Sequence, residues 1–241
     1  MTKIGVLSVA LGLAWSSVDY AQDRPHVTLF GATKPATYQL HEGSEDDPHS
    51  SAGICFQTEN ESNPLCYEAR DNEDWYFESP EVKFFSFPVG ATTKVAIFSA
   101  QQNFGGSGTA TLLTALVIDP SLSSIRNLLP KIVLSRQGDS KMWFDRSASS
   151  FPLFSTAEFT AVPDSTIEGK HLYKVRTFSF DRQSGTYRLI DAYTTQRAYN
   201  VFGSPTPFSV LSKEQSVLKA RVDKAVHPHG RTRRRGGRSL P

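Results

Sequence analysis

The segment 109–118 constrains the fold more than any other part of the chain. Successive residues of a strand point to opposite faces, and here both faces are apolar. The two faces carry Leu112, Leu116 and Ile118 on one side and Leu113, Ala115 and Val117 on the other. A strand that is apolar on both faces belongs between two packed layers, so this pattern predicts a central strand.

Further strand patterns occur at short spacing, with no alternating helices. They cover residues 26–30, 53–56, 82–87, 94–99, 131–135, 141–144, 157–162 and 171–195. Aromatic residues, which pack well on pleated sheets, make up 11% of the chain. Together these features predict a mainly β protein, with antiparallel sheets in a sandwich, barrel or propeller-like arrangement.

Turn-forming residues indicate how the strands connect. The clearest hairpin spans residues 171–195 and turns at 181–185, where Asp181 and Gly185 flank a polar segment. Residues 131–135 and 141–144 are interpreted as a second hairpin. Residues 119–129 are predicted to form a short helical turn, because Asp119 and Pro120 suit the start of a helix.

One amphipathic helix is predicted over residues 212–226. Ser212 and Gln215 have the spacing of a capping box, in which the serine caps the helix and the glutamine reaches back. The expected apolar stripe comprises Val217, Leu218, Val222 and Ala225. Such a stripe favours a helix packed on the sheet near the C-terminus.

The N-terminus has the pattern of a secretory signal. Lys3 precedes an uncharged apolar run at residues 4–15, and small residues follow at Ser16, Ser17 and Ala21. We expect residues 1–21 to be a signal peptide and the mature chain to be exported, either periplasmic or secreted, and soluble. Residues 22–51 are interpreted as a polar N-terminal segment, 52–226 as a single β-rich domain and 227–241 as a disordered tail.

The two cysteines, Cys55 and Cys66, are predicted to form a disulfide. Export allows the bond, and the turn residues Asn63 and Pro64 lie between them. A metal site needs more ligands than this pair supplies. We predict no metal, no cofactor and no transmembrane anchor.

The basic residues are concentrated at the C-terminus. The formal net charge is +2, but the tail contains five arginines, so the rest of the chain carries −3. These are Arg231, Arg233, Arg234, Arg235 and Arg238. A mildly acidic body gives no reason to expect nucleic acid as the main partner.

A glycine-rich connection between two predicted strands is the candidate binding loop. It consists of Gln101, Gln102, Asn103, Phe104, Gly105, Gly106, Ser107 and Gly108. It has no lysine of the kind that completes a phosphate-binding loop. The segment is interpreted first as a tight turn between two strands. Because loops on a rigid sheet often carry binding surfaces, it is also the candidate contact surface.

Gly138-Asp139-Ser140, after a predicted strand, resembles the nucleophile block of the GDSL hydrolases. That family has a helix after the serine and a late Asp-x-x-His. Here residues 141–144 predict a strand, and the late pair Asp223 and His227 is one residue too far apart.

Two functions from different classes follow. The first is an exported, non-catalytic β-domain protein that binds an unknown ligand, such as a protein or an envelope polymer. The alternative is an exported hydrolase assembled from distant residues, with Asp139, Ser140 and either His171 or His227 as the first set to test.

Overall fold

The computed structural model describes residues 26–43, 50–58, 63–70, 77–86, 94–103, 109–119, 123–135, 138–145, 147–160, 169–200 and 209–227. Within these ranges the protein is mainly β, with three antiparallel sheets and two helices. Sheet 1 contains β1 (His26–Val27), β2 (Ala36–His41), β3 (Gly53–Gln57) and β4 (Leu65–Glu68). Sheet 2 contains β5 (Glu78–Ser86), β6 (Lys94–Asn103), β7 (Thr109–Asp119), β8 (Ser124–Asn127) and β9 (Ile132–Ser135). Sheet 3 contains β10 (Asp139–Trp143), β11 (Leu153–Thr160), β12 (Leu172–Asp181) and β13 (Thr186–Thr194), followed by α1 (Val210–Lys213) and α2 (Gln215–Val226).

The three sheets and the helices form successive layers. One apolar core joins sheet 1 to sheet 2, and Phe56 and Phe98 are among its largest members. A second core joins sheet 2 to sheet 3. A third core joins sheet 3 to the helices through Tyr173, Leu211 and Leu218. The helical segment therefore packs on the sheet, as the sequence predicts.

The strand β7 lies at the centre of this arrangement, which confirms the prediction from its two apolar faces. The first set, Leu112, Leu116 and Ile118, lies in the core shared with sheet 1. The second set, Leu113, Ala115 and Val117, lies in the core shared with sheet 3. Each set is removed from water against a different neighbouring layer, which explains why neither face is polar.

The hairpin predicted at residues 171–195 is also confirmed. The strands β12 and β13 pair antiparallel around a turn at residues 182–185. Gly185 ends the turn with a φ of 66°, a conformation that residues with a Cβ adopt at a cost. The disulfide between Cys55 and Cys66 is present and joins directly opposed residues of β3 and β4.

The helical turn predicted at residues 119–129 is wrong. Residues 124–127 form β8, which pairs with one half of β7, while β9 pairs with the other half. A central strand needs backbone partners along both edges, and a helix here would leave this edge of β7 unpaired. The Asn127 side chain strengthens the pairing, because its Oδ1 accepts a hydrogen bond of 2.9 Å from the Ala115 N–H.

The second predicted hairpin is wrong in its pairing, although both strands exist. The strand β9 pairs with β7 in sheet 2, whereas β10 pairs with β11 in sheet 3. The turn between them therefore carries the chain from one layer to the next. A Cβ at Gly138 would lie only 2.6 Å from the Leu134 Cβ, so this crossing requires a glycine.

The helical segment begins earlier than the sequence predicts. The N-cap is Ser209, whose Oγ accepts a hydrogen bond from the Ser212 N–H, so the prediction of Ser212 as the cap is wrong. The segment is interrupted at Glu214, which separates α1 from α2. Val217 is 43% exposed, and Ala225 is exposed too, so the apolar stripe is narrower than expected.

Several predictions concern residues outside the described ranges. They are the signal peptide at residues 1–21, most of the loop at 101–108 and the tail from residue 228 onwards. Within the segment 22–51, the strands β1 and β2 pair with each other and β2 pairs with β3, so this part of the chain contributes to sheet 1.

Candidate functional site

A groove between the last strand of sheet 3 and the helices is the candidate site. It has a volume of about 370 Å³. Its walls come from β13, from the segment that follows it and from the junction of α1 with α2. The charged and aromatic side chains that line it are Tyr193, Arg197, Tyr199, Lys213, Glu214 and Arg221. We call it the β13–α2 groove.

Glu214 lies at the floor of this groove and is only 6% exposed. Its position follows from the helical pattern, because residues 211, 214, 218 and 222 recur at spacings of three and four and are all buried. Its backbone N–H donates to the Val210 carbonyl, and its own carbonyl accepts from the Leu218 N–H. The backbone thus remains hydrogen-bonded through the junction while the carboxylate turns towards the sheet.

Two tyrosine hydroxyls satisfy the Glu214 carboxylate. Tyr193 donates to Oε2 over 3.2 Å, and Tyr199 donates to Oε1. Burial and the hydrogen bond to Glu214 raise the pKa of Tyr199 to about 12. Burial and the negative charge of Glu214 also raise the pKa of Tyr193. Both hydroxyls therefore stay protonated at neutral pH, as donors to a carboxylate must.

Arg221 forms the second fixed element of the groove. Its Nε lies 2.7 Å from Oδ2 of Asp191, and its Nη2 lies 2.8 Å from Oδ1, so the pair is bidentate. The guanidinium also lies over the Tyr193 ring, 4.6 Å from the ring centre. These contacts hold Arg221 and Tyr193 in one orientation and leave little of the arginine's charge unbalanced.

The segment that carries Arg197 and Tyr199 is tied to sheet 3. Tyr199 and His171 exchange two backbone hydrogen bonds of 2.8 Å. Closer to β13, the Thr195 N–H donates to the Tyr173 carbonyl, and the Thr195 Oγ1 accepts from the Tyr173 N–H. The groove is therefore walled by segments that are hydrogen-bonded to the sheet or to the helix.

The block Gly138-Asp139-Ser140 holds the start of the helical segment. Oδ2 of Asp139 accepts hydrogen bonds from Ser209 Oγ at 2.8 Å and from the Leu211 N–H at 2.9 Å. An aspartate at this place satisfies a helical N–H that has no partner within its helix. Ser140, its neighbour, occupies an exposed position of β10 opposite Thr156.

The two histidines of the hydrolase hypothesis lie in different places. His171 is 2% exposed, and its ring packs edge-on against Phe159. His227 is the C-cap of α2, and its Nε2 lies 3.1 Å from the Ser147 carbonyl oxygen. Asp139 contacts the start of α1, so the length of α2, about 18 Å at 1.5 Å per residue, lies between it and His227.

The predicted binding loop falls mainly outside the described residues. Its first members, Gln101 and Gln102, continue β6, with Gln101 exposed and Gln102 buried. Asn103 pairs with Thr109, so β6 and β7 are consecutive antiparallel strands. Sequence reasoning did not find the β13–α2 groove, although one signal was available: Glu214 stands on the apolar stripe of a predicted helix, and a buried carboxylate requires partners.

Within the described ranges, no helix has both the length and the apolar character that a membrane crossing requires. In the same part of the chain, no three His, Cys, Asp or Glu side chains are grouped so that they would hold a metal ion. Comparison of the chain with protein-family models, with curated proteins and with solved structures found no match.

Proposed function

We propose that this chain is an exported, non-catalytic binding protein and that the β13–α2 groove is its binding site. The observation that carries the proposal is the pre-organised groove itself, whose floor is a buried carboxylate fixed by two tyrosines. Binding sites are commonly concave and largely formed before the ligand arrives. Fixed walls reduce the conformational entropy that a ligand would otherwise have to offset.

The contacts within the groove favour binding over proton transfer. Glu214 accepts hydrogen bonds from two protonated tyrosines, and Asp191 accepts two from Arg221. A general base must reach the proton that it removes, whereas Glu214 is only 6% exposed and Asp191 is held in a bidentate ion pair. These carboxylates instead serve to position aromatic and cationic side chains, which is the arrangement that a binding surface needs.

A steric block tests the site. Ser216 lines the groove from the exposed side of α2, so Ser216→Trp is expected to fill it without removing any of the hydrogen bonds described above. Ala220→Trp adds the same side chain to an exposed position of the same helix and is the matched control.

The assay is ligand-observed NMR with a panel of neutral sugars, sugar acids, sugar phosphates, amino acids and short peptides. We expect at least one compound to bind the wild type and Ala220→Trp and to lose binding to Ser216→Trp. Absence of any binder, or binding that persists in Ser216→Trp, would overturn the assignment of this groove.

Export is tested separately at the N-terminus. The chain is expressed with residues 1–21 in a secreting host, and the protein recovered outside the cytoplasm is analysed by intact mass and N-terminal sequencing. We expect the recovered chain to lack the apolar run at residues 4–15. Protein that stays in the cytoplasm and retains Lys3 would refute export. The disulfide between Cys55 and Cys66 is compatible with an oxidising destination.

A further inference from the structure

The charges that line the β13–α2 groove do not contribute equally to its surface. Arg221 is neutralised by its bidentate partner Asp191. Glu214 is buried beneath the hydroxyls of two tyrosines. The charged lining side chains at exposed positions are Arg197 and Lys213, and both are cationic. By formal charge the lining holds three cationic side chains and one carboxylate, and that carboxylate is buried, so cationic side chains predominate at the rim although the body of the protein is mildly acidic.

The rest of the lining is rich in neutral hydrogen-bonding groups. Thr194, Gln196 and Ser216 add two hydroxyls and a carboxamide to the hydroxyls of the two tyrosines. Val217 is the aliphatic side chain in this lining. A flat apolar ligand would leave most of these polar groups without partners, whereas a ligand that carries many hydroxyls would satisfy them.

We infer that the groove binds an acidic carbohydrate, with its carboxylate or phosphate held by Arg197 and Lys213 and its hydroxyls held by the polar side chains around Glu214. This inference rests on the proposed binding function and names its ligand class. The cationic rim selects the acid group, because charge-assisted hydrogen bonds to a carboxylate or phosphate are stronger than neutral ones. The neutral groups select the sugar ring.

Four probes of similar size separate these contributions. They are glucuronate, glucose 6-phosphate, glucose and glucosamine, which share a sugar ring and differ in charge. Dissociation constants are measured by NMR titration of the mature chain at low ionic strength. We expect the two acids to bind about tenfold more tightly than glucose. Glucosamine, which is cationic, should bind most weakly, as charge complementarity at the rim predicts. The tighter of the two acids identifies the acid group as carboxylate or phosphate.

Charge removal at the rim supplies the matched comparison. The double variant Arg197→Gln with Lys213→Gln is expected to lower the affinity for the acids to that for glucose. Lys219→Gln with Lys224→Gln removes the same charge from exposed positions of α2 outside the lining and is expected to leave the acids bound as in the wild type. Raising the salt concentration should weaken the binding of the two acids and leave the binding of glucose unchanged.

Failure of this inference is distinguishable from failure of the proposed function. If glucose binds as tightly as the acids and Ser216→Trp abolishes both, the groove is a binding site but the acid is not recognised. If the acids bind Arg197→Gln with Lys213→Gln as tightly as the wild type, the assignment of the rim is wrong. If neither these probes nor the wider panel bind, the proposed function fails as well.

Discussion

Replacement of Glu214 is expected to destabilise the protein through its two tyrosine partners. Glu214→Ala removes the acceptor of both hydroxyls, from Tyr193 and Tyr199. Hydrogen bonds to charged groups contribute about 1.5 kcal/mol or more each, so the gross loss is about 3 kcal/mol. Both tyrosines are partly exposed, so water replaces part of this loss, and the variant no longer buries a charge. We therefore expect a net loss of about 2 kcal/mol.

The assay is urea unfolding at pH 7, followed by circular dichroism, with thermal unfolding in parallel. For a chain of this size, a loss of about 2 kcal/mol lowers the Tm by about 4–8 °C. Glu214→Gln keeps one acceptor and should cost about 1 kcal/mol. A double-mutant cycle with Tyr199→Phe should give a coupling energy of about 1 kcal/mol, because the two side chains are in direct contact.

Two results would refute this reasoning. The first is a Glu214→Ala variant within about 0.5 kcal/mol of the wild type, the range of ordinary surface substitutions. The second is a Glu214→Leu variant that is more stable than the wild type. Replacing a buried charged group by a packed apolar one sometimes stabilises a protein, and here that would mean that burying the carboxylate costs more than its hydrogen bonds contribute. Either result would mean that the carboxylate does not hold the two tyrosines in place for stability.

Three further predictions concern other parts of the fold. Asp139→Ala should lower the free energy of unfolding by about 1–2 kcal/mol because the start of α1 loses its acceptor; an unchanged urea midpoint would contradict this. Replacing both Cys55 and Cys66 by serine should cost about 3 kcal/mol in the chain-entropy model, and reducing the wild type should reproduce the loss. Folding raises the pKa values of Tyr173 and Tyr199 to about 12 from the ordinary 10.0. Their contribution to stability is thus complete below pH 10 and is lost as the pH rises towards 12, so urea midpoints should fall in this window and tyrosine absorbance should titrate late.

The sequence predicts the strands well where burial alone decides the pattern. The two apolar faces of β7 and the aromatic hairpin of β12 and β13 are local patterns, and both appear in the structure. Which strands pair with each other is harder to predict from the sequence. Nothing in residues 131–144 indicates that β9 and β10 belong to different sheets, because the partner of each strand is distant in the sequence.

The error at residues 119–129 has a similar origin. Asp119 and Pro120 are suited to the start of a helix, and the local preference favours one. A helix here would leave one edge of β7 unpaired. The need of the buried backbone groups at this edge for hydrogen-bond partners overrides the local preference. A tertiary requirement of this kind is invisible in an eleven-residue window.

The β13–α2 groove combines residues from three separate segments, so local patterns do not predict it. Tyr193 ends a hairpin strand, Tyr199 follows an irregular segment and Glu214 interrupts a helix. Only the carboxylate on the apolar stripe marks the site in the sequence. The capping box at Ser212 and Gln215 starts the predicted helix at residue 212, so the predicted stripe omits Leu211, which lies on the same buried face three residues before Glu214.

The two apolar faces of β7 have a consequence for how its register is protected against error. In most strands a slip by one residue exchanges an apolar face for a polar one, and the penalty is large. In β7 the slip exchanges one apolar set for another, so polarity gives little protection. The correct register must therefore be selected by the shapes of the side chains and by specific hydrogen-bond partners. Thr114, which is 1% exposed and donates to the Phe98 carbonyl, would enter the opposite core without that acceptor. Asn127, which accepts from the Ala115 N–H, would lose its matching donor. The correct alignment of the central strand therefore depends on two polar side chains, one in the middle of an apolar face of β7 and the other on the neighbouring strand β8.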